Sequence, residues 1–404
     1  MRSNIPLISK NSPSDLARFG GTPAFAEPVH VGRPNIGSRE RFLQRVNEII
    51  DRRWFSNDGP MLRELEQNLA RYLGVEHVVA LCNGTAALEV AIRALGLSGE
   101  VLLPSFTFIG TAHALQWQQI TPVFCEIDSL THNLDPALIE EKISPRTTGI
   151  IGVHVWGEPC AVEALTKIAG RYRLALLFDA CHAFGCSHGG RMIGGFGNAE
   201  VFSFHATKYF NTFEGGAIAT NDGELAAKMR LMRNFGFAGY DRVVQIGTNG
   251  KMSEISAAMG LTGLESLDEF LAVNRAHYQR YRYMLEEIPG LRLYPICEAE
   301  RRNHQYVVIE VDEEATGISR DLLLEVLHAE NVLARRYFYP GCHRMEPYCS
   351  EASGQVELPQ TERLCTRVLV LPTGTAIDAH TVDSICALIR LSFEHAAEIQ
   401  ARLA

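Results

Sequence analysis

From about residue 75 to residue 220 the chain alternates short apolar runs with stretches of helical period. The runs are 77–82, 100–104, 121–127, 148–155, 174–179, 200–205 and 216–220. Val78-Val79-Ala80-Leu81 and Leu174-Ala175-Leu176-Leu177-Phe178 are apolar at every position, as strands covered on both faces are. Helical spacing fills the gaps at 85–96, 107–118, 135–142 and 161–172. This rhythm predicts an α/β fold with a mostly parallel, seven-stranded sheet between two helical layers.

The flanks read differently. Residues 39–72 form two helical stretches parted by Trp54-Phe55-Ser56-Asn57-Asp58-Gly59-Pro60. In the second stretch Leu62, Leu65, Leu69 and Leu73 keep helical spacing. A long helix is expected over 252–288, broken or kinked near Gly260 and Gly263. Beyond Pro289-Gly290 a strand at 304–311, a helix at 319–330, a strand near 332–338 and a helix at 378–402 suggest a smaller α+β C-terminal domain. The expected division is a lead-in with its helix over 1–57, a large domain over 58–288 and a small one over 289–404.

A length of 404 residues allows such a division, and 46% hydrophobic with 21% charged residues is ordinary for a globular protein. The net charge of -9 has no basic run set against it, which argues against nucleic acid as a partner. No stretch approaches the length needed to cross a bilayer, and the opening Met1-Arg2-Ser3-Asn4-Ile5-Pro6 carries no apolar leader. The ten cysteines show no CxxC pair, and several lie in apolar runs, as Cys125 does. Buried reduced thiols are expected, with no metal site and a cytoplasmic location.

The chemistry gathers at the ends of the predicted strands, where open α/β sheets bind ligands. Asp179 ends one apolar run, and Lys208 follows the next in Ser203-Phe204-His205-Ala206-Thr207-Lys208. An acid and a lysine so placed suit pyridoxal 5'-phosphate. The amine would hold the aldehyde as a Schiff base, and the carboxylate would keep the pyridine nitrogen protonated. Asn83-Gly84-Thr85 opens a helix directly after a strand, which suits a phosphate seat and equally an ordinary turn and cap. Phe108 could cover a ring face or belong to the core. His182 could donate to a ligand oxygen or sit satisfied in the core, and Ser203 could bind phosphate or serve its own strand.

Taken as a set, these segments resemble the DegT/DnrJ/EryC1/StrS family of pyridoxal phosphate-dependent sugar aminotransferases, from about residue 20 to near the C-terminus. Further matching pieces are Pro104-Ser105-Phe106-Thr107-Phe108, Asp179-Ala180-Cys181-His182-Ala183, Glu214-Gly215-Gly216 and Asn249-Gly250-Lys251-Met252-Ser253-Glu254. The resemblance implies a fold-type I aminotransferase in which Lys208 carries the cofactor and Asp179 faces the pyridinium. It implies that His182 lies near the phenolic oxygen, that Phe108 stacks, and that Gly84, Thr85 and Ser203 bind phosphate. It implies a homodimer whose Asn249 reaches the neighbouring site, and pyridoxamine 5'-phosphate as the aminated form. The family often has an aromatic-arginine pair after that asparagine, where this chain has Gly250-Lys251, and Cys181 stands where alanine is common. Lysine keeps the charge without the bidentate fork.

Phe19-Gly20-Gly21-Thr22-Pro23 and Gly152-Val153-His154-Val155-Trp156-Gly157 resemble one branch of the family, which aminates dTDP-4-keto-6-deoxyglucose at carbon 4 with L-glutamate as donor and 2-oxoglutarate as product. Amination at carbon 3 of the 3-keto isomer is the alternative. A sugar dehydratase is disfavoured because it has histidine where Lys208 stands, and a non-catalytic sensor because the lysine–aspartate pair is intact. For the sugar nucleotide, Lys251, Tyr337 and His343 are the candidate contacts, the last two from the cationic, aromatic run Arg335–Arg344.

Overall fold

The computed structural model describes residues 10–351 and 354–403; the opening residues in which no leader is read lie outside the described residues. Seven strands form the central sheet: β1 His77–Leu81, β2 Glu100–Pro104, β3 Thr121–Cys125, β4 Thr147–Val153, β5 Ala175–Asp179, β6 Ala199–Ser203 and β7 Gly216–Thr220. Their spatial order is β1-β7-β6-β5-β4-β2-β3. β7 runs antiparallel to both β1 and β6, and the other neighbours are parallel. The carboxyl ends of β1, β2, β5 and β6 therefore share one edge.

Successive side chains of these strands serve opposite cores. Val78 and Ala80 pack with Leu65 and Leu69 of α2 (Pro60–Leu73), while Val79 and Leu81 pack with Ala87 and Ala91 of α3 (Gly84–Ala94). Both faces are covered, which is why the strands lack a polar alternation. Helix α4 (Ile109–Gln116) joins α3, and α5 (Val162–Tyr172) joins α2.

Some expected elements change on folding. Residues 135–142 are two tight 3-10 turns, Pro136–Leu138 and Glu140–Lys142, confined between the Asp135 cap and Ser144-Pro145. The stretch 252–288 is two helices, α6 (Glu254–Leu264) and α7 (Leu267–Leu285), with the break just past Gly263, after Leu264. Gly260 and Gly263 also admit close neighbours. A Cβ at Gly260 would lie 3.0 Å from the Leu65 methyls, and one at Gly263 would lie 3.2 Å from the Phe210 ring. The C-terminal helix breaks at His395, and only Val332–Leu333 of 332–338 forms a strand, parallel to Val29–His30.

A second sheet holds β8 Leu291–Leu293, β9 Val307–Val311 and β10 Val368–Leu371 in antiparallel order β8-β9-β10. Helix α8 (Pro359–Arg367) and strand β10 are not anticipated from the sequence. Leu16 and Ala24 of the lead-in and Tyr281 and Leu285 of α7 join this sheet's core. A fourth cluster, including Phe106, Trp156, Tyr306, Val308 and Phe338, ties the two sheets together. No helix among the described residues is long and apolar enough to cross a membrane.

Candidate active site

Four strand ends converge on a cavity of about 360 Å³. The first contribution follows β1, where Asn83 caps α3 by accepting the Ala86 N–H at 2.7 Å. Capping leaves the N–H groups of the opening turn pointing outward beside the Thr85 hydroxyl, an arrangement suited to an anion. Close approach fixes two glycines here. A Cβ on Gly84 would stand 2.9 Å from Ser203 Cβ, and one on Gly216 would stand 2.6 Å from the Asn83 carbonyl oxygen. The antiparallel β7 thus brings Glu214-Gly215-Gly216 against the Asn83–Gly84 turn, and Ser203 at the end of β6 completes a polar floor.

Asp179 ends β5 and is 4% exposed. Its Oδ2 accepts the Thr111 hydroxyl at 2.8 Å and its Oδ1 accepts the Cys181 N–H at 3.1 Å. Both carboxylate oxygens are held, so the group keeps one orientation toward the cavity.

Lys208 lies in the turn after β6 and extends Nζ to the Tyr306 hydroxyl, 3.1 Å away. Burial pushes its amine below the usual lysine range; Cys181, Tyr337 and Asp179 oppose the shift and Arg335 adds to it. His182 is driven well below its usual value, first by burial and then by the Lys208 charge, so its ring is neutral. Its Nδ1 accepts the Trp156 N–H at 3.4 Å, which assigns the ring proton to Nε2. Phe108, the residue before α4, exposes 58% of its surface on the cavity wall.

Gly84, Thr85, Phe108, Asp179, His182, Ser203, Lys208 and Tyr337 all line this one cavity. Asn249 and Lys251 do not. Asn249 bridges to Asn234 in an exposed loop, and Lys251 Nζ lies 4.6 Å from the centre of the Phe235 ring. His343 is also elsewhere: it is fully buried, with Nδ1 2.6 Å from Ser105 Oγ and Nε2 3.1 Å from Glu362. The imidazole joins Ser105, just after β2, to Glu362 of α8 and has no surface left to offer a ligand. Thr111 and Tyr306 are the functional neighbours that sequence reasoning misses. Thr111 had a faint signal, since it stands one helical turn after Thr107 and bonds its hydroxyl at 3.0 Å. Tyr306 had none.

Residues 37–390 match the DegT/DnrJ/EryC1/StrS aminotransferase family model. The chain belongs to this family. It is a pyridoxal 5'-phosphate-dependent aminotransferase. A dTDP-4-amino-4,6-dideoxy-D-glucose transaminase of Shigella dysenteriae is 38% identical over 365 residues, covering 90% of this chain and 99% of the relative. One of the same description from Escherichia coli is 34% identical over 365 residues, covering 89% and 98%. The crystal structure of DesI in the presence of its TDP-sugar product superposes with a TM-score of 0.93 at 49% identity, covering 96% of this chain and 99% of that one.

The residues present fit pyridoxal 5'-phosphate. A helix N-terminus with a missing side chain and two hydroxyls suits a phosphate dianion, and a pinned carboxylate suits a ring nitrogen. A partly buried amine suits an aldehyde, and an exposed phenyl face suits the ring. A neutral histidine carrying its proton on Nε2 suits a phenolate oxygen as a donor.

Proposed function

We propose that this enzyme transfers the amino group of L-glutamate to carbon 4 of dTDP-4-keto-6-deoxyglucose, giving dTDP-4-amino-4,6-dideoxyglucose and 2-oxoglutarate, as a cytoplasmic homodimer. The reading is carried by one observation: Lys208 and Asp179 face a single cavity whose floor is a helix N-terminus fitted for phosphate. Its substrate is supported by the relatives of 38% and 34% identity and by DesI with its TDP-sugar product.

When bound, the cofactor supplies an aldehyde carbon that carries nitrogen and a conjugated ring that accepts electrons. Lys208 would hold it through Nζ. Once released, the same amine would take a proton from the donor's α-carbon and pass it to the cofactor carbon that bears the nitrogen, and would run the same transfer in reverse for the sugar. A depressed lysine keeps more of that amine neutral near neutral pH, which a base requires. Asp179 would keep a proton on the ring nitrogen, whose positive charge lets the ring accept the electrons released at the α-carbon. His182 would donate from Nε2, Phe108 would cover the ring, and Gly84, Thr85 and Ser203 would hold the phosphate. Asn249 serves the partner's site, and Tyr337 and Lys251 are the remaining candidates for the sugar nucleotide.

The test combines purified protein and L-glutamate with a panel of dTDP- and UDP-linked keto-sugars, the products being read by NMR. The expected product carries a new amine at carbon 4 of the dTDP sugar. An amine at carbon 3 from a 3-keto isomer, or no reaction with any dTDP sugar, removes the assignment.

A further inference from the structure

Asn303–Tyr306 leads into β9 of the second sheet, yet three of its side chains reach the loops of the first. Asn303 Nδ2 donates to the carbonyls of His182 at 2.9 Å and Phe184 at 3.0 Å. Gln305 Oε1 accepts the N–H of Tyr209 at 2.8 Å. The Tyr306 hydroxyl takes the bond from Lys208 Nζ at 3.1 Å and is the amine's one hydrogen-bond partner among the described residues. A single stretch of backbone therefore grips the histidine loop, the residue after the lysine, and the lysine itself.

Tyr306 is in turn firmly placed. It is 6% exposed, and its ring centre lies 4.3 Å from that of His182 and 5.5 Å from that of Trp156. Burial raises the phenol far above its usual value, so it stays a neutral hydroxyl. Cys181, Asp179, His182, Arg335 and Tyr337 are the other titratable groups around the amine, and no bond joins any of them to it.

We propose that Tyr306 is the positioning residue for Lys208: its hydroxyl holds the free lysine amine at one point of the cavity, and Asn303–Tyr306 keeps that point in register with His182. This rests on the reading that Lys208 carries the cofactor and moves the proton. A free lysine side chain samples many rotamers and loses that freedom when its amine is held. An amine that leaves and returns in every cycle gains most from a fixed resting point, because small misplacements of a proton-transfer group cost large factors in rate.

Tyr306→Phe removes one oxygen and keeps the ring contacts. In single turnover with L-glutamate its rate is expected to fall about ten- to a hundredfold, with the glutamate Kd unchanged. The second readout is made on cofactor-free chain. Acetic anhydride labelling across pH, mapped to the Lys208 peptide by mass spectrometry, gives the protonation midpoint of the amine. Loss of an oxygen that accepts from the ammonium should move that midpoint to lower pH. A wild-type rate overturns the proposal, and so does a slowed rate with an unmoved midpoint, which would mark a merely structural effect. Borohydride trapping of the wild type separates the two levels: a label off Lys208 refutes the underlying reading, while a label on Lys208 leaves Tyr306 as the only question.

Discussion

Asp179 and Thr111 show how a reactive group is held by a residue that does no chemistry itself. The Thr111 hydroxyl lies 2.8 Å from Oδ2, on a helix that begins at Ile109 and is anchored in the core. Replacing Asp179 with alanine should cost about a thousandfold in kcat, because the other carboxylate on the cavity among the described residues, Glu214, is exposed and stands at the Asn83–Gly84 end. Thr111→Val should cost less, about ten- to a hundredfold, since a hydrogen bond to a charged group is worth roughly 1.5–3 kcal/mol. Steady-state assays decide both: equal losses would mean that the threonine does more than orient, and no loss in Thr111→Val would mean that the Cys181 N–H suffices. Lys208→Ala should abolish turnover, and measurable undiminished turnover would take the lysine out of the mechanism.

Among elements, the Asn83–Gly84 turn and β7 depend on each other. A methyl at Gly216 would meet the Asn83 carbonyl oxygen at 2.6 Å and the Gly84 nitrogen at 2.7 Å, and backbone cannot swing aside. Gly216→Ala should therefore weaken cofactor affinity about tenfold and lower stability by roughly 1–3 kcal/mol. Gly170→Ala is the counterpart: it lies inside α5 with nothing within 4 Å, so it should add about 0.5–1 kcal/mol and leave affinity alone. Thermal melts and cofactor titrations read both. The same contrast explains what the sequence discloses. Strands β1 to β7 are legible because each carries a mainly apolar run bounded by turns, even with the buried Glu200 inside β6, and the gathering of Asp179 and Lys208 on one cavity is legible because strand ends are where such groups matter. Gly260 and Gly263 mark the helix break only to within a few residues, because each also serves to admit a close neighbour, Leu65 or Phe210. Tyr306 stays hidden because its role comes from a second sheet folding over the first, a distance in sequence that no local pattern spans.

For the molecule as a whole, histidines set an acid limit to stability. Burial lowers His182, His277 and His343 below 6.5 in the folded chain, and lowers His304 to about 4. Below pH 6.5 the unfolded chain binds protons that the folded chain refuses, so stability falls as pH drops from 6.5 toward 4 and is recovered above 6.5. Melting midpoints at pH 7 and pH 5 should differ in that sense; equal midpoints would mean the histidines protonate freely in the fold. Assembly is the larger question. The 235–248 loop exposes Phe235, Phe237, Tyr240, Val243, Val244 and Ile246, with Tyr240 at 101%, and leads directly to Asn249. Patches of that kind are uncommon on monomers. If the patch covers a neighbour and Asn249 completes the neighbour's cavity, then Lys208→Ala and Asn249→Ala damage different chains' contributions to each site. Each variant alone should be nearly inactive. Mixed in equal amounts and allowed to exchange, half the dimers pair the two, and each such dimer holds one site free of both lesions. Activity should then return to about a quarter of the wild-type value. A chain that completes its own cavity gives no gain on mixing, because every Lys208→Ala site stays without its amine and every Asn249→Ala site keeps its own defect whatever stands beside it.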